Sequence, residues 1–428
     1  MKRNVYELTL ERIELLFNEF DNIYVSFSGG KDSGVMLNLC IEYIRKHKLK
    51  RKIGVFCMDY EIQYNETVDY IDRTLKANAD ILEVYRVCIP FKVVTCTSMF
   101  QSYWRPWDDD CRDFWVRPMP DDCFRKDDFS FYTPDMWDSE FYVLFSQWLH
   151  LRKNAKKTCC LVGIRTQESS HRWRTIHKKD KFNTYRGLKW TRMISENIYN
   201  AYVIYDWLTP DIWVANGRFE WDYNRLYDLY YQAGVPLDKQ RVASPFLLAA
   251  QESLRLYRAI DPDMWGKMIC RANGVNFTSI YGHTNAVAQR RVLLPEGYTW
   301  ETYMHFLLST LPEDTRLNYL QKLSVSVNFW RKRGGCLPDE TIKKLQEIGI
   351  EVEVVKHTNY KTNKLPVRME YQDDIEVAGF KDLPTFKRMC ICILRNDHLC
   401  QYMGFAKTKK ELDNRKRIMD FYKSFIHE

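Results

Sequence analysis

Residues 23–33 read Ile-Tyr-Val-Ser-Phe-Ser-Gly-Gly-Lys-Asp-Ser. Apart from one serine, the first five residues are β-branched or aromatic. This run is too short for a helix, so it predicts a buried strand. From Val35 to about His47, apolar residues recur at helical spacing, which predicts a helix. The two glycines therefore lie in a tight turn between a strand and a helix.

The alternation of strand and helix continues on both sides of this turn. An amphipathic helix is predicted before it, over residues 8–20. Short apolar runs predict further strands at 53–58, 81–87, 159–164 and 201–205, with helices between them. Strands that alternate with helices at this spacing are typical of a parallel sheet. We therefore expect an α/β fold with a doubly wound, mostly parallel sheet.

Two breaks in this pattern predict the domain organisation. Residues 98–140 are rich in Trp, Asp and Pro, which indicates an inserted segment. In the last part of the chain, a short strand is predicted at 352–355. Apolar helical stripes dominate there, at 254–260, 300–311, 317–330, 342–348, 386–394 and 412–425. We expect a first domain over residues 1–250, which contains the insertion, and a mainly helical second domain over 251–428.

Composition excludes several classes of protein. Of the 428 residues, 45% are hydrophobic and 28% are charged, which is ordinary for a globular chain. No run of about 18 apolar residues predicts a transmembrane helix, and the N-terminus lacks the apolar core of a signal peptide. The thirteen cysteines are odd in number and include no Cys-x-x-Cys, which predicts free thiols. We therefore expect a cytoplasmic protein with no membrane association.

Charge is spread unevenly along the chain. The net charge is +8, but residues 98–140 hold eleven acidic and five basic side chains. Residues 151–193, by contrast, hold thirteen Lys or Arg and two acidic side chains. A concentrated basic segment predicts an anionic ligand, either a nucleotide phosphate or a nucleic acid. The opposite charges also predict that the insertion is a cap, which covers the ligand and faces the basic loop at 165–192.

The glycine-rich turn has the chemistry of a phosphate site. Gly29 and Gly30 can adopt positive φ and approach a ligand without a Cβ, so that successive N–H groups form an anion nest. The following helix adds the positive end of its dipole, Lys31 adds a mobile charge, and both serine hydroxyls of the turn can donate hydrogen bonds. Asp32 would repel phosphate unless a divalent ion joined them, so Mg²⁺ is implied as a cofactor.

The hexapeptide at 28–33 resembles the PP-loop motif of the ATP pyrophosphatase superfamily, which includes adenylating enzymes and phosphoadenosine-phosphosulfate (PAPS) reductases. Three later segments resemble the PAPS reductases in the same order: Gly-Ile-Arg-Thr-Gln-Glu-Ser at 163–169, Asp-Trp-Leu-Thr-Pro-Asp-Ile-Trp at 206–213 and Asn-Arg-Leu-Tyr-Asp at 224–228. In the last segment an arginine stands where proline is usual in that family. The resemblance covers about residues 20–235 and implies an adenine-nucleotide site.

The long chain with its helical second half looks most like the Ibr-type subgroup of PAPS-reductase-like proteins. This resemblance implies a ParB/sulfiredoxin-like partner protein. It also implies a setting in mobile elements or phages, and related PP-loop proteins serve in phage defence.

The residue chemistry and the resemblance together predict one nucleotide site at the carboxyl edge of the sheet. Arg165 and Arg172 follow the end of a strand, where open α/β sheets bind ligands, and guanidinium groups suit phosphate or sulfate. Met58 and Asp59 end the second strand at the same edge and would contact the adenosine. The expected catalytic residues are Lys31, Asp32 and Arg165, with Asp32 as the metal ligand. The expected binding residues are Ser26, Ser28, Gly29, Gly30, Lys31, Asp32, Ser33, Met58, Asp59, Gly163, Arg165 and Arg172.

The sequence departs from the PAPS reductases in one respect. Those enzymes act through a cysteine in a C-terminal Glu-Cys-Gly-Leu-His motif, which this chain lacks, and Cys336 and Cys400 are the thiols left to suspect. Our first hypothesis is an enzyme that binds ATP or a related adenine nucleotide with Mg²⁺, releases pyrophosphate and adenylates an acceptor. One alternative is a sulfonucleotide reductase of the phosphoadenylyl-sulfate type. The other is a nucleotide-switched regulatory module that contacts DNA.

Overall fold

The computed structural model describes residues 3–177, 183–247, 254–281, 292–355, 364–375 and 383–405. The chain divides into two compact units. The first unit comprises Met1–Val93, Arg105–Pro245 and Leu256–Arg271. The second unit comprises Val94–Trp104, Phe246–Arg255 and Ala272–Glu428. The domain boundary expected at residue 250 stays a prediction.

The secondary structure of the described residues contains α-helices and strands in both units. The helices are α1 (Val5–Glu19), α2 (Lys31–Lys46), α3 (Asn65–Ala77), α4 (Asp138–Arg152), α5 (Ser170–His177), α6 (Thr209–Arg218), α7 (Leu226–Gln232), α8 (Leu256–Ile260), α9 (Pro262–Arg271), α10 (Val275–Tyr281), α11 (Trp300–Ser309), α12 (Glu313–Asn328), α13 (Asp339–Glu347) and α14 (Phe386–Leu394). The strands are β1 (Asn22–Ser26), β2 (Ile53–Met58), β3 (Leu82–Val87), β4 (Val93–Val94), β5 (Tyr103–Trp104), β6 (Thr158–Val162), β7 (Thr191–Ser195), β8 (Ile198–Ala201), β9 (Gly335–Leu337), β10 (Glu353–Val354) and β11 (Leu365–Arg368). Of the helices described, none is long and apolar enough to cross a membrane.

Within the described residues, the first unit is built around a six-stranded sheet in the order β3-β2-β1-β6-β8-β7. The first five strands in that order pair in parallel, and β7 pairs antiparallel with β8 at one edge. From β1 the sheet grows outward through β2 and β3, and on the other side through β6 and β8. The expected doubly wound, mostly parallel α/β fold is therefore confirmed, and the strand order reverses between β1 and β6.

Both faces of this sheet are buried by packing against helices. Successive side chains of a strand point to opposite faces, so neighbouring residues of one strand pack on different sides. Tyr24 and Phe56 point to one face, where the Phe145 ring of α4 lies 5.8 and 4.2 Å from their ring centroids. Val25 and Val55 point to the other face and belong to a core that also contains residues of α1, α2 and α6. Strands buried on both sides are continuous apolar runs, and this is why most of them can be recognised in the sequence.

The predicted strand at 201–205 was wrong in its position. The strand is β8, and its antiparallel partner β7 is not revealed by the apolar pattern. Beyond β8 the backbone turns, and the Tyr205 N–H donates to the Tyr202 carbonyl at 3.1 Å. Val203 and Ile204 are fully buried in the core of the first unit. A short apolar run in the sequence is therefore compatible with a buried turn as well as with a buried strand, and here it forms a turn.

Glu61 ties the 105–140 part of the insertion to the rest of the first unit. Its side chain is fully buried, and its carboxylate accepts the Trp107 N–H at 2.7 Å and the Val116 N–H at 3.3 Å. The same carboxylate binds the Arg271 guanidinium of α9 through contacts of 2.9 and 3.0 Å. A buried carboxylate needs such partners to offset the loss of its hydration. That the insertion covers a ligand and faces the basic loop stays a prediction.

The second unit is mainly helical, as predicted, and it also holds a small sheet. Among its described residues, β10, β11 and β9 form a three-stranded antiparallel sheet. The helix expected at 386–394 is α14, and the short strand expected at 352–355 is β10. The helical stripe expected at 412–425 lies outside the described residues. Of the two suspected thiols, Cys336 is half-buried in β9 and Cys400 is fully buried.

Candidate functional site

The candidate site lies where the strand order reverses. In an open parallel sheet, the loops after the two strands on either side of that reversal diverge and leave a crevice at the carboxyl edge. Here the two strands are β1, which ends at Ser26 and is followed by the glycine-rich turn and α2, and β6, which is followed by residues 163–165. Both loops that the sequence singles out therefore reach one crevice.

The glycine-rich turn is held in shape by its own groups. Gly29 has a φ of +71°, and a Cβ at this position would lie 2.9 Å from Thr67 Cγ2. The Ser33 hydroxyl donates to the Gly30 carbonyl at 3.1 Å and accepts the Ser28 N–H at 3.3 Å. Helix α2 starts directly after the turn, so its first N–H groups, which have no acceptors within the helix, lie at the crevice.

Gly163 brings the loop after β6 against the first turn of α2. A Cβ on Gly163 would lie 3.1 Å from the Ser33 backbone nitrogen, so the glycine permits a close approach of two backbones. Two residues later, Arg165 Nε donates to Asp32 Oδ1 at 2.6 Å. Arg165 is 2% exposed, and its Nη1 also lies 3.3 Å from Thr209 Oγ1. The structure thus brings together two of the residues predicted to be catalytic.

Lys31, the third predicted catalytic residue, is buried beside this pair. Its Nζ donates to the Gln240 carbonyl at 2.9 Å and lies 3.5 Å from Asp32 Oδ2. Burial lowers the pKa of Lys31 and the charge of Arg165 lowers it further, while Asp32 opposes the shift. An ammonium group that is poorly hydrated and close to other cations is well suited to pair with an incoming anion.

Two more arginines complete a group that we call the cationic cluster: Lys31, Arg165, Arg172 and Arg241. Arg172 forms an ion pair with the Glu168 carboxylate, and Arg241 Nη2 donates to the Glu168 carbonyl at 3.0 Å. Burial lowers the pKa of Arg172, and the charges of Arg241 and Arg165 add to this effect. Asp32 and Glu168 offset only part of the positive charge, so the cluster and the N-terminus of α2 together favour an anion.

Asn224 and Tyr227 hold the glycine-rich turn from the other side, and neither was predicted as a site residue. The fully buried Asn224 amide donates to the Gly29 carbonyl and to Thr67 Oγ1, both at 2.9 Å. The Tyr227 hydroxyl accepts the Lys31 N–H at 3.0 Å. The Asn-Arg-Leu-Tyr-Asp segment carried a signal, because it was one of the resemblances to the PAPS reductases. Sequence reasoning could not assign it a role in holding the turn.

Both parts of the chain are similar to known protein families. The sequence profile of the phosphoadenosine phosphosulfate reductase domain matches residues 22–234, and a profile described as a domain of unknown function (DUF3440) matches residues 234–414. The chain is 32% identical over 413 residues to the uncharacterized protein YbdN of Escherichia coli strain K12, covering 95% of this chain and 92% of YbdN. The chain belongs to the PAPS-reductase-like family of PP-loop proteins. Its place in the Ibr-type subgroup, and with it a ParB/sulfiredoxin-like partner, stays a prediction.

Solved structures similar to this PAPS-reductase-like chain are remote in sequence. The PAPS reductase of Candida auris is 14% identical, with 55% of this chain and 87% of that chain covered and a TM-score of 0.30. The FMN adenylyltransferase of Candida glabrata, solved with FMN and AMPCPP, is 16% identical, with coverages of 52% and 58% and a TM-score of 0.31. The U34-tRNA thiolase of Methanococcus maripaludis is 12% identical, with coverages of 65% and 80% and a TM-score of 0.30. Similarities this weak say nothing about substrate or reaction.

Met58 and Asp59 lie at the end of β2, at the same edge of the sheet as the turn. Both are buried, and the Asp59 carboxylate is already bound by Arg86, at 3.1 Å, and by Arg117. Burial opposes ionisation, but these two arginines hold the pKa of Asp59 below its usual value. The contacts give this carboxylate a structural role in the PAPS-reductase-like domain. A contact of Met58 or Asp59 with adenosine stays a prediction.

The surroundings of Asp32 do not fit a magnesium ion held by protein groups. One Asp32 oxygen is bound to Arg165 and the other lies 3.5 Å from Lys31, so two cations occupy the position that a metal would need. Among the described residues, no group of three or more His, Cys, Asp or Glu side chains could hold a metal ion. These contacts argue against the predicted role of Asp32 as the metal ligand. Mg²⁺ as a cofactor stays a prediction, and no step proposed below passes through a metal ion.

We expect Gly29→Ala to weaken nucleotide binding and to destabilise the first unit. The added Cβ would lie 2.9 Å from Thr67 Cγ2, and the positive φ costs an alanine roughly 1–2 kcal/mol. Thermal denaturation and ATP calorimetry measure the two effects. The matched control is Gly217→Ala in α6, where a Cβ meets nothing within 4 Å. If both variants bind ATP like the unmodified protein, the conformation of the turn does not matter for binding.

Proposed function

We propose that this protein binds a nucleoside triphosphate of adenine, with the phosphates on the cationic cluster and the N-terminus of α2, and transfers the adenylyl group to an acceptor. The observation that carries the proposal is the cluster itself, in which four cationic side chains and a helix N-terminus meet two carboxylates. Such an excess of positive charge suits a polyphosphate. Family membership supports adenosine as the rest of the ligand.

The proposed reaction uses this chain's own side chains to stabilise charge. An acceptor oxygen attacks the α-phosphorus and loses its proton to water, and the bond from that phosphorus to the bridging oxygen breaks. The pyrophosphate leaves with the electron pair of that bond. Lys31 would stabilise the charge on the leaving pyrophosphate, while Arg165 and Arg172 would hold the phosphates in line.

The alternative of a sulfonucleotide reductase has less support. Its chemistry needs an accessible thiolate, and Cys400 is fully buried, so this cysteine is unsuited to attack a bound ligand. Cys336 is half-buried in the short strand β9. We expect no sulfite from PAPS and reduced thioredoxin. Sulfite release that disappears in Cys336→Ser or Cys400→Ser would show instead that the protein is a sulfonucleotide reductase.

A pyrophosphate-release assay with ATP, Mg²⁺ and candidate acceptors tests the proposal. We expect release by the unmodified protein, loss of release in Lys31→Ala, and normal release in Lys46→Ala. Lys46 is an exposed lysine at the far end of the same helix, so it controls for the loss of one charge from α2. ATP binding with no release from any acceptor would favour the nucleotide-switched module.

One observation favours that second candidate, a module that contacts nucleic acid. Trp173 of α5 is 51% exposed, and its ring stacks on His177 at 4.3 Å, within the basic segment that follows the site. Exposed aromatic rings beside basic side chains suit the stacking of unpaired bases. Two other aromatic residues of this segment, Tyr185 and Trp190, are buried and so unsuited to that role.

If α5 stacks on bases, Trp173→Ala should weaken binding of single-stranded oligonucleotides by about 5- to 150-fold, because stacking contributes about 1–3 kcal/mol per base. Fluorescence anisotropy with a labelled oligonucleotide, at fixed salt concentration, measures this effect. Phe114→Ala is the matched control, since Phe114 is 60% exposed but lies in the acidic insertion. Equal affinities of all three proteins would eliminate the stacking role of Trp173.

A further inference from the structure

One segment of the first unit lies against the glycine-rich turn without forming a helix or a strand. It covers residues 236–245, and we call it the strap. The Gln240 carbonyl of the strap accepts a hydrogen bond from Lys31 Nζ at 2.9 Å. Val242 Cβ lies 3.8 Å from the place that a Cβ on Gly30 would take. The strap therefore lies directly on the proposed phosphate site.

The strap helps to enclose the ammonium group of Lys31. Besides the Gln240 carbonyl, Asp32 Oδ2 lies 3.5 Å from Nζ and the centroid of the Tyr227 ring lies 5.3 Å from it. Lys31 is only 4% exposed, so a phosphate reaches the ammonium group only if one of these neighbours moves. Asp32 and Tyr227 are fixed in the helices α2 and α7. The strap lacks such support, so it is the neighbour that we expect to move.

Two polar groups of the strap are buried without a partner. The Gln240 side chain is 1% exposed and its amide donates to the Val235 carbonyl at 2.9 Å. Its Oε1, however, has no hydrogen-bond partner among the described residues, and in the same part of the chain neither has the buried Ser244 hydroxyl. A buried polar group without a partner lowers stability, and water would satisfy both groups if the strap opened. Both groups therefore favour an open strap.

We propose that the strap and the phosphates of the nucleotide compete for Lys31, so that the site accepts a nucleotide only when the Gln240 carbonyl leaves Nζ. This inference rests on the proposed function, which places the phosphates on the cationic cluster. A phosphate oxygen carries negative charge and a carbonyl oxygen does not, so the phosphate is the stronger partner for an ammonium group. The strap is thus an autoinhibitory contact that a polyphosphate releases.

The strap also connects the nucleotide site to the rest of the chain. It leads directly to Phe246, where the chain enters the second unit. Within that unit, the Phe246 carbonyl accepts the Cys96 N–H at 2.9 Å. Only five residues separate Gln240 from Phe246. Nucleotide binding in the first unit therefore changes the segment that leads into the second.

A reversible covalent lock on the strap tests the proposal. The 3.8 Å between Val242 Cβ and a Cβ on Gly30 is the usual separation in a disulfide, and Gly30 has a φ of −84°, which a cysteine can adopt. Gly30→Cys combined with Val242→Cys should therefore form a disulfide on oxidation. Because the apparent affinity falls with the fraction of open protein, we expect the oxidised double variant to bind ATP at least about 10-fold more weakly than the same protein after reduction. Isothermal calorimetry measures both affinities.

The single variant Val242→Cys controls for oxidation of the native thiols, and it should bind ATP equally in both redox states. Peptide mapping verifies the cross-link in the double variant. Equal affinities of the cross-linked and the reduced double variant would overturn the strap proposal and leave the proposed function intact. An unmodified protein that binds no ATP would overturn the proposed function, and the strap proposal with it.

Trypsin gives a readout in the unmodified protein, which does not depend on the folding of a variant. Lys239 is exposed and directly precedes Gln240. If phosphates release the strap, saturating ATP should speed cleavage after Lys239 several-fold. Lys48, which is exposed just beyond the far end of α2, is the control site and should be cleaved at an unchanged rate. Cleavage after Lys239 that saturating ATP slows or leaves unchanged would refute the competition for Lys31.

Discussion

Glu61→Ala is expected to lower the stability of the first unit by about 3–5 kcal/mol, the usual cost of removing one partner of a buried ion pair. The substitution leaves the Arg271 guanidinium, whose side chain is 6% exposed, without its carboxylate. It also leaves the Trp107 and Val116 N–H groups without their acceptor. For a unit of this size, the thermal midpoint should fall by roughly 6–20 °C. Differential scanning calorimetry measures that midpoint.

Two further variants separate the buried pair from a general charge effect. Asp135→Ala removes a carboxylate that is 85% exposed and pairs with Lys92, so it should cost less than about 1 kcal/mol. Glu61→Leu combined with Arg271→Met removes both buried charges and should recover much of the lost stability. Limited proteolysis should cut the insertion faster in Glu61→Ala than in either of these proteins. If Glu61→Ala melts like Asp135→Ala, Glu61 does not hold the insertion.

Lys31→Ala is expected to weaken ATP binding by about 10- to 150-fold, which corresponds to the roughly 1.5–3 kcal/mol of a charged hydrogen bond. The side chain is buried beside Asp32 and Arg165, so no water shell screens its contact with a phosphate. Isothermal calorimetry with ATP measures the change. Lys46→Ala should bind ATP like the unmodified protein, because Lys46 lies at the opposite end of α2. Unchanged affinity in Lys31→Ala would place the nucleotide elsewhere.

The pH dependence of binding gives a second readout of Lys31. Burial lowers the pKa of its ammonium group, so the free protein loses this charge at a lower pH than an exposed lysine would. Affinity for ATP should therefore have its full value at a pH below the lowered pKa of Lys31, where the ammonium group is charged. It should decline as the pH rises through that pKa. Lys31→Ala has no such group and should lack this decline.

Much of the candidate site could be predicted from the sequence, because its parts are local patterns. The glycine-rich turn can be recognised because a strand, two glycines and a helix follow one another in one short stretch. Arg165 can be recognised because it follows a strand that is visible in the sequence as an apolar run. Arg241 could not be found in this way. It lies in a segment between elements, and it joins the cationic cluster only because Glu168 and Lys31 are folded next to it.

The sequence by itself determined the parallel sheet, the turn and the sign of the charge at its edge, because each follows from neighbours along the chain. Only the tertiary structure decided which groups complete the site and hold the insertion. Lys31 donates a hydrogen bond to the carbonyl of Gln240, which lies 209 residues later in the sequence. Glu61 binds Arg271, which lies 210 residues later. Such pairs leave no periodic trace in the sequence. They form because burying a charge is costly, and the folded chain offsets that cost with whatever polar group its topology brings within reach.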